Sequence, residues 1–236
     1  MKHIVLLPGM DGTGILFEPL IQALSSKVHP HIIDYPVDEA LDYDQLADYV
    51  STKLPTNVAY TLIAESFSGP VGYEIACSPP PNLKHLVFAA SFISRPNWLC
   101  GMAAHLPLGT MPLPSLIVKH YLLGDGENRP LLKRFRRVLS CVEPHILKYR
   151  LQEMARLSCR KEKPQVPCTY ILAKDDKLIS RKKMEELKSL VPNMALKEIP
   201  GPHFILQTQP KACARIIERF IMDIPSQEMG NTDTTQ

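Results

Sequence analysis

The run Thr61-Leu62-Ile63-Ala64-Glu65-Ser66-Phe67-Ser68-Gly69-Pro70 drives an apolar stretch straight into a cluster of small residues. Val58–Ala64 reads as a buried strand. Pro70 fits the first turn of a helix running towards Cys77, because an N–H at that position has no partner anyway. A strand that reverses into a helix within a residue brings the two backbones almost into contact. Only small side chains then fit two positions either side of the turn, and the apical residue is held in a strained conformation. Ala64 and Ser68 are small, Gly69 follows, and Ser66 is the apex.

Strands and helices alternate around this turn. Strands are expected over His3–Leu7, His31–Asp34, Lys84–Ala90, Cys168–Ala173 and Ala195–Ile199. Helices are expected over Leu16–Leu24, Tyr43–Leu54, Arg181–Leu190 and Pro210–Met222. Such alternation predicts an α/β fold with a mostly parallel sheet and helices on both faces. The pattern breaks between Ser91 and about Lys163, where no strand is convincing and two helical stretches stand out. The expected organisation is therefore a sheet domain in two parts, 1–94 and 164–225, a helical cap inserted over 95–163, and a polar, disordered tail over 226–236. The 236 residues suit one domain of this kind.

The totals exclude several classes. A net charge of +3 is too small to imply nucleic acid, and no apolar run approaches the roughly 18 residues of a membrane span. The apolar start Ile4–Leu7 stops at Pro8-Gly9, short of the roughly 7 residues a signal peptide needs. A cytoplasmic protein is expected. Cys77, Cys100, Cys141, Cys159, Cys168 and Cys213 show no C-x-x-C pair, so zinc is not expected, nor any other metal or organic cofactor.

A serine hydroxyl is a poor nucleophile until a base lies within hydrogen-bond reach and an acid orients that base. Ser66, Asp176 and His203 each follow the C-terminal end of an expected strand. In an open parallel sheet such ends share one rim. Singly, each has an ordinary reading: a helix cap, a turn aspartate, a surface histidine. Together, in the order Ser66…Asp176…His203, they read as a catalytic triad, with Asp175 as the rival acid. Attack on a carbonyl also needs two N–H groups for the developing oxyanion. Phe67 N–H and Met10 N–H, the latter in the loop Pro8-Gly9-Met10-Asp11-Gly12-Thr13-Gly14, are the candidates. That loop, with Asp34 about 20 residues on, also imitates a dinucleotide site. The glycine spacing fails, however, because Phe17 stands where the third glycine belongs, and the Tyr49…Lys53 and Tyr170…Lys174 pairs are misplaced for a dehydrogenase.

These segments, with Leu172-Ala173-Lys174-Asp175-Asp176-Lys177-Leu178-Ile179 and Gly201-Pro202-His203-Phe204, resemble the α/β-hydrolase superfamily over roughly 1–94 and 164–223. PGMDGTG and ESFSG are most similar to bacterial hydrolases related to the hydrolase part of plant phytyl ester synthases. Ala64 and Ser68 replace the usual glycines of the serine turn, and Ala173 stands where the family has a glycine three residues before its acid, which favours Asp176. The resemblance implies ester chemistry on an acyl or otherwise apolar substrate, by hydrolysis or acyl transfer. Thioesterase activity and a non-catalytic binding module on the same fold are alternatives.

Residues 129–163 hold eleven Lys/Arg and three acids, a charge of +8 against −5 for the rest of the chain. Over Arg129–Val142, Leu131, Leu132, Phe135, Val138, Leu139 and Val142 share one helical face, and Lys133, Arg134, Arg136 and Arg137 the other. Asn128 is the expected N-cap. Leu147, Leu151, Met154 and Leu157 or Ser158 are expected to line the next helix. The basic face is either simply solvated or a docking surface for an acidic partner or anionic membrane. An acidic acyl carrier protein is the partner implied by similarity in architecture and charge to pimeloyl-carrier-protein methyl ester esterases. Trp98, Leu99, Met102, Leu106, Leu108, Met111, Leu113 and Leu116 are expected either to line an acyl pocket or to form a buried contact between cap and core.

Overall fold

The structure, a computed structural model, describes residues 1–96, 118–124, 128–158 and 161–222. The apolar residues expected to line a pocket and the C-terminal tail lie outside the described residues. Six strands form one sheet: β1 (Lys2–Leu7), β2 (Val28–Ile32), β3 (Tyr60–Glu65), β4 (Leu83–Ala89), β5 (Cys168–Ala173) and β6 (Ala195–Ile199), in the order β2-β1-β3-β4-β5-β6. All five pairings are parallel.

Central strands of such a sheet are covered on both sides, so they read as continuous apolar runs rather than alternating ones. Along β1, Val5 and Leu7 pack on one face with Leu62, Phe67, Val71 and Leu86, while Ile4 and Leu6 pack on the other with Phe17, Ile63, Val87 and Ile217. The first face is covered by α2 (Tyr43–Ser51), α3 (Gly69–Cys77) and α6 (Arg181–Leu190). The second is covered by α1 (Glu18–Ala23), the short α7 (Ile205–Thr208) and α8 (Pro210–Met222). Between β4 and β5 come a π-helical turn at Lys119–Leu123, then α4 (Arg129–Leu139) and α5 (Pro144–Arg156). Among the described residues no helix is long and apolar enough to cross a membrane.

Several boundaries differ from expectation. The second strand occupies Val28–Ile32 rather than 31–34, because register, Lys2 opposite Val28 through Leu6 opposite Ile32, defines it. It is an edge strand in which His29 and His31 are exposed, and it accommodates Pro30. The expected helix at 16–24 is a 3-10 turn, Gly14–Phe17, followed by α1. Helix α2 ends at Ser51, and an unforeseen capping box starts it: Asp42 accepts from Gln45 N–H at 2.8 Å while Gln45 Oε1 accepts from Asp42 N–H at 3.0 Å. Asn128 precedes α4 without a side-chain capping bond. Helix α5 ends at Arg156, before Leu157 and Ser158.

Candidate active site

Chain order turns between β1 and β3, which lie side by side although β2 intervenes in sequence. Crevices form outside strand C-termini at such a switch point. The loop after β1 and the turn after β3 meet there.

Ser66 has φ of 45°, left-handed backbone that a residue with a Cβ rarely adopts. Its surroundings hold it. Ser91 Oγ donates to the Ser66 carbonyl at 2.6 Å. Ser91 is itself pinned by Tyr170, whose hydroxyl accepts from Ser91 N–H at 3.0 Å and donates to Ser91 O at 2.6 Å. A Cβ at Gly69 would collide with Ser91 and Phe92, and one at Gly72 would come within 2.9 Å of Ala64 Cβ. Helix and strand therefore touch through Gly72 and Ala64, and the helix start meets the loop after β4 through Gly69, which explains why alanine suffices at 64. Ser68 has a positive role: its hydroxyl donates to the Pro8 carbonyl and lies 2.5 Å from Tyr35 Oη. It bolts the serine turn to the loop after β1, a link glycine could not make.

Ser66 Oγ is 2.9 Å from His203 Nε2, and His203 Nδ1 is 2.8 Å from Asp176 Oδ2. A carboxylate only accepts, so the imidazole proton sits on Nδ1 and Nε2 accepts from the serine hydroxyl. The other Asp176 oxygen accepts from Leu178 N–H and Ile179 N–H, both at 2.8 Å. The His203 and Asp176 side chains are each 3% exposed, whereas Ser66 is only half-buried and remains approachable. Burial alone would lower the pKa of His203; the Asp176 charge and hydrogen bond, with Glu65 behind them, outweigh it and leave the imidazole raised above the ordinary value.

Asp175 faces away from the imidazole. Its Oδ2 accepts from Gly201 N–H and its N–H donates to Gly201 O, both at 2.9 Å. It anchors the loop after β6, where Gly201 turns with φ of 148°. The far side of that loop is held by the insertion: Phe204 N–H donates to Leu122 O at 3.0 Å, and the Phe204 ring meets Phe135 of α4 edge-on at 5.3 Å.

The loop after β1 is a turn closed by Gly12 N–H to Gly9 O at 2.9 Å. Among the described residues Met10 N–H meets no acceptor. Phe67 N–H lies in the first turn of the helical segment, where N–H groups lack intrahelical partners. Asp34 Oδ1 accepts from Gly14 N–H at 2.6 Å, so the carboxylate that imitated a nucleotide-binding acid is occupied by its own loop.

Two residues were missed in the sequence. Glu65, beside Ser66, is buried and accepts from Gln207 Nε2 at 2.8 Å. Arg150, one of the eleven cations of residues 129–163, is 2% exposed. Its signal lay in the spacing, since 147, 150, 151 and 154 fall on one helical stripe. Arg134 also departs from the expected arrangement, pairing with Glu18 of α1 at 2.5 Å. Lys133, Arg136 and Arg137 are exposed as expected.

No curated protein matches the sequence significantly. Similar solved structures include an enol-lactonase from Burkholderia xenovorans LB400 (15% identity, 94% of this chain and 92% of that one, TM-score 0.78). A hydrolase from Oleispira antarctica is similar (13% identity, 95% and 92%, TM-score 0.77), as is the carboxylesterase CesB from Bacillus subtilis (17%, 93% and 83%, TM-score 0.69). At such identities they establish a common fold. A model of the alpha/beta hydrolase family matches residues 4–216, nearly the whole of the sheet and everything inserted in it, and the chain belongs to that family.

Proposed function

We propose that the protein is a serine esterase that cleaves carboxylic esters with an acyl or otherwise apolar portion. The observation that carries this reading is the continuous hydrogen-bonded chain from Ser66 through His203 to Asp176. Ser66 Oγ attacks the ester carbonyl carbon as its proton passes to His203 Nε2. Asp176 holds the imidazole in orientation and supports its positive charge. Met10 N–H and Phe67 N–H receive the carbonyl oxygen as it becomes an anion. Collapse expels the alcohol, which takes the proton from Nε2 and leaves an acyl group on Ser66. Water, deprotonated by His203, then releases the acid. An alcohol in place of water gives acyl transfer through the same steps. None of these steps calls on a metal or organic cofactor.

The insertion between β4 and β5 serves in this reading as a cap over the site. The exposed Lys133, Arg136 and Arg137 on α4 support a second element, docking of an acidic carrier protein that presents the acyl group. Among the described residues Cys77, Cys141, Cys168 and Cys213 carry thiols rather than disulfides, which supports a reducing, cytoplasmic location.

A fluorophosphonate probe tests the core of the proposal. Wild type is expected to gain one probe adduct by intact mass, and Ser66→Ala none. Absence of labelling and of p-nitrophenyl acetate turnover in the wild type would instead mark a hydrolase-fold binding module.

A further inference from the structure

Arg150 is a guanidinium placed where its helix otherwise presents Ile146, Leu147, Leu151 and Met154 to the interior. A buried charge is costly unless its donors are matched. Burial lowers its pKa, with the fields of Tyr35 and Asp11 acting the other way, yet guanidinium remains charged throughout the physiological range. Its matches are specific. Nη1 donates to the Met10 carbonyl at 2.8 Å and Nη2 to the Pro36 carbonyl at 2.7 Å. The guanidinium carbon stands 5.8 Å from the centre of the Tyr35 ring. A Cβ on Gly12 would lie 2.5 Å from Nη1, so the loop is shaped around this side chain.

The loop carbonyls are held one by one. Pro8 O accepts from the Ser68 hydroxyl, Gly9 O from Gly12 N–H and Gly12 O from Tyr35 N–H. The Met10 carbonyl alone among these is held from the insertion, by a residue 140 positions away. Gly9 C=O and Met10 N–H belong to one trans peptide and point in opposite directions. With Gly9 O turned into the loop, Met10 N–H points out of it. The next peptide, Met10–Asp11, is the middle one of the turn, and its rotation converts one turn type into another and displaces its neighbours. Arg150 grips that peptide by its carbonyl.

We propose that Arg150 is the positioning residue of the oxyanion hole: from α5 it locks the Met10–Asp11 peptide and so fixes the direction of Met10 N–H. The inference rests on the esterase reading above. The insertion thereby contributes to transition-state stabilisation without touching substrate, and the donor is set only while α5 is docked.

Arg150→Lys and Arg150→Ala test this in the full-length protein. Lysine keeps the charge but not the fork that spans two carbonyls. Hydrogen–deuterium exchange of the peptide covering residues 8–14 is expected to speed up in both variants. Displacing one oxyanion donor is expected to lower kcat for p-nitrophenyl acetate about 100-fold while KM changes little. Millimolar methylguanidinium is expected to restore part of the Arg150→Ala rate, which a merely weakened fold would not allow. Wild-type kcat in folded Arg150→Lys, unchanged exchange over 8–14, or a loss spread into KM and indifferent to methylguanidinium would overturn the proposal. A wild type inert to esters and to fluorophosphonate would overturn the esterase reading itself, and exchange would still decide whether Arg150 clamps the loop.

Discussion

Glu65 precedes the proposed nucleophile and is sealed beneath it. Burial pushes its carboxyl up to about 7, against the Gln207 hydrogen bond that opposes the shift, with Asp11 adding to it. The protonated acid is also the form with a donor to offer Gln207 Oε1, which is buried without a partner among the described residues. The sign for stability follows from proton counting. Between the ordinary value of 4.5 and about 7 the folded state holds the proton more tightly than the unfolded chain. Stability is therefore unaffected by this group below that window, falls as pH rises through it, and stays reduced above it, by up to about 3 kcal/mol. Glu65→Gln keeps the shape and removes the titration. Urea unfolding is expected to show the variant equal to wild type near the acid end and more stable on the alkaline side. Because Glu65 helps to raise the His203 pKa, the acid limb of kcat/KM is expected to move to lower pH in the same variant. An unshifted limb, or equal stability on both sides, would remove Glu65 from the electrostatics of the site.

At the scale of elements, α4 is more than a cover. Its apolar face, Leu131, Leu132, Phe135 and Val138, packs with Leu16, Val118, Leu123 and Phe204, the residue after the proposed base. Phe135→Ala removes the ring that Phe204 leans on and is expected to cost about 3–5 kcal/mol in urea unfolding. A fall in kcat is expected to accompany it in the protein that stays folded. Ile221→Ala, in the buried cluster at the end of α8 and away from both the insertion and the rim, is expected to lower stability and leave kcat unchanged. Equal effects of the two on kcat would show that α4 does not position the histidine loop. Legibility in the sequence follows the same division. Ser66, Asp176 and His203 each follow an apolar run that reads locally as a strand, so which side chains meet at the rim, and their order, were readable. The bounds of β2 depend on pairing with β1, which local apolarity does not encode. The role of Arg150 is not legible, because a charged residue on a helix defaults to the solvent side and its partners are carbonyls of two distant loops whose positions only the fold supplies.

Across the whole molecule the sheet supplies four loops at one rim, and the insertion grips two of them, through Arg150 at Met10 and through Phe135 and Leu122 at Phe204. Charge is divided along the same line, +8 over residues 129–163 and −5 elsewhere. Not all of it faces outward: Arg150 is enclosed and Arg134 pairs with Glu18, while Arg129, Lys133, Arg136 and Arg137 of α4 are exposed. Exposed charges act over about 10 Å at 0.1 M salt, so they steer an acidic macromolecule but have little hold on a small neutral ester. These two substrates therefore separate the basic face from the site. For p-nitrophenyl acetate, kcat/KM is expected to be flat in salt and the same in wild type and Lys133→Glu/Arg137→Glu. Binding of an acidic acyl carrier protein, followed by fluorescence anisotropy, is expected to weaken steeply with salt in wild type and to vanish in the double variant. No binding by wild type at low ionic strength would reduce the basic face to a solvated surface, with the esterase chemistry at Ser66 left standing on its own test.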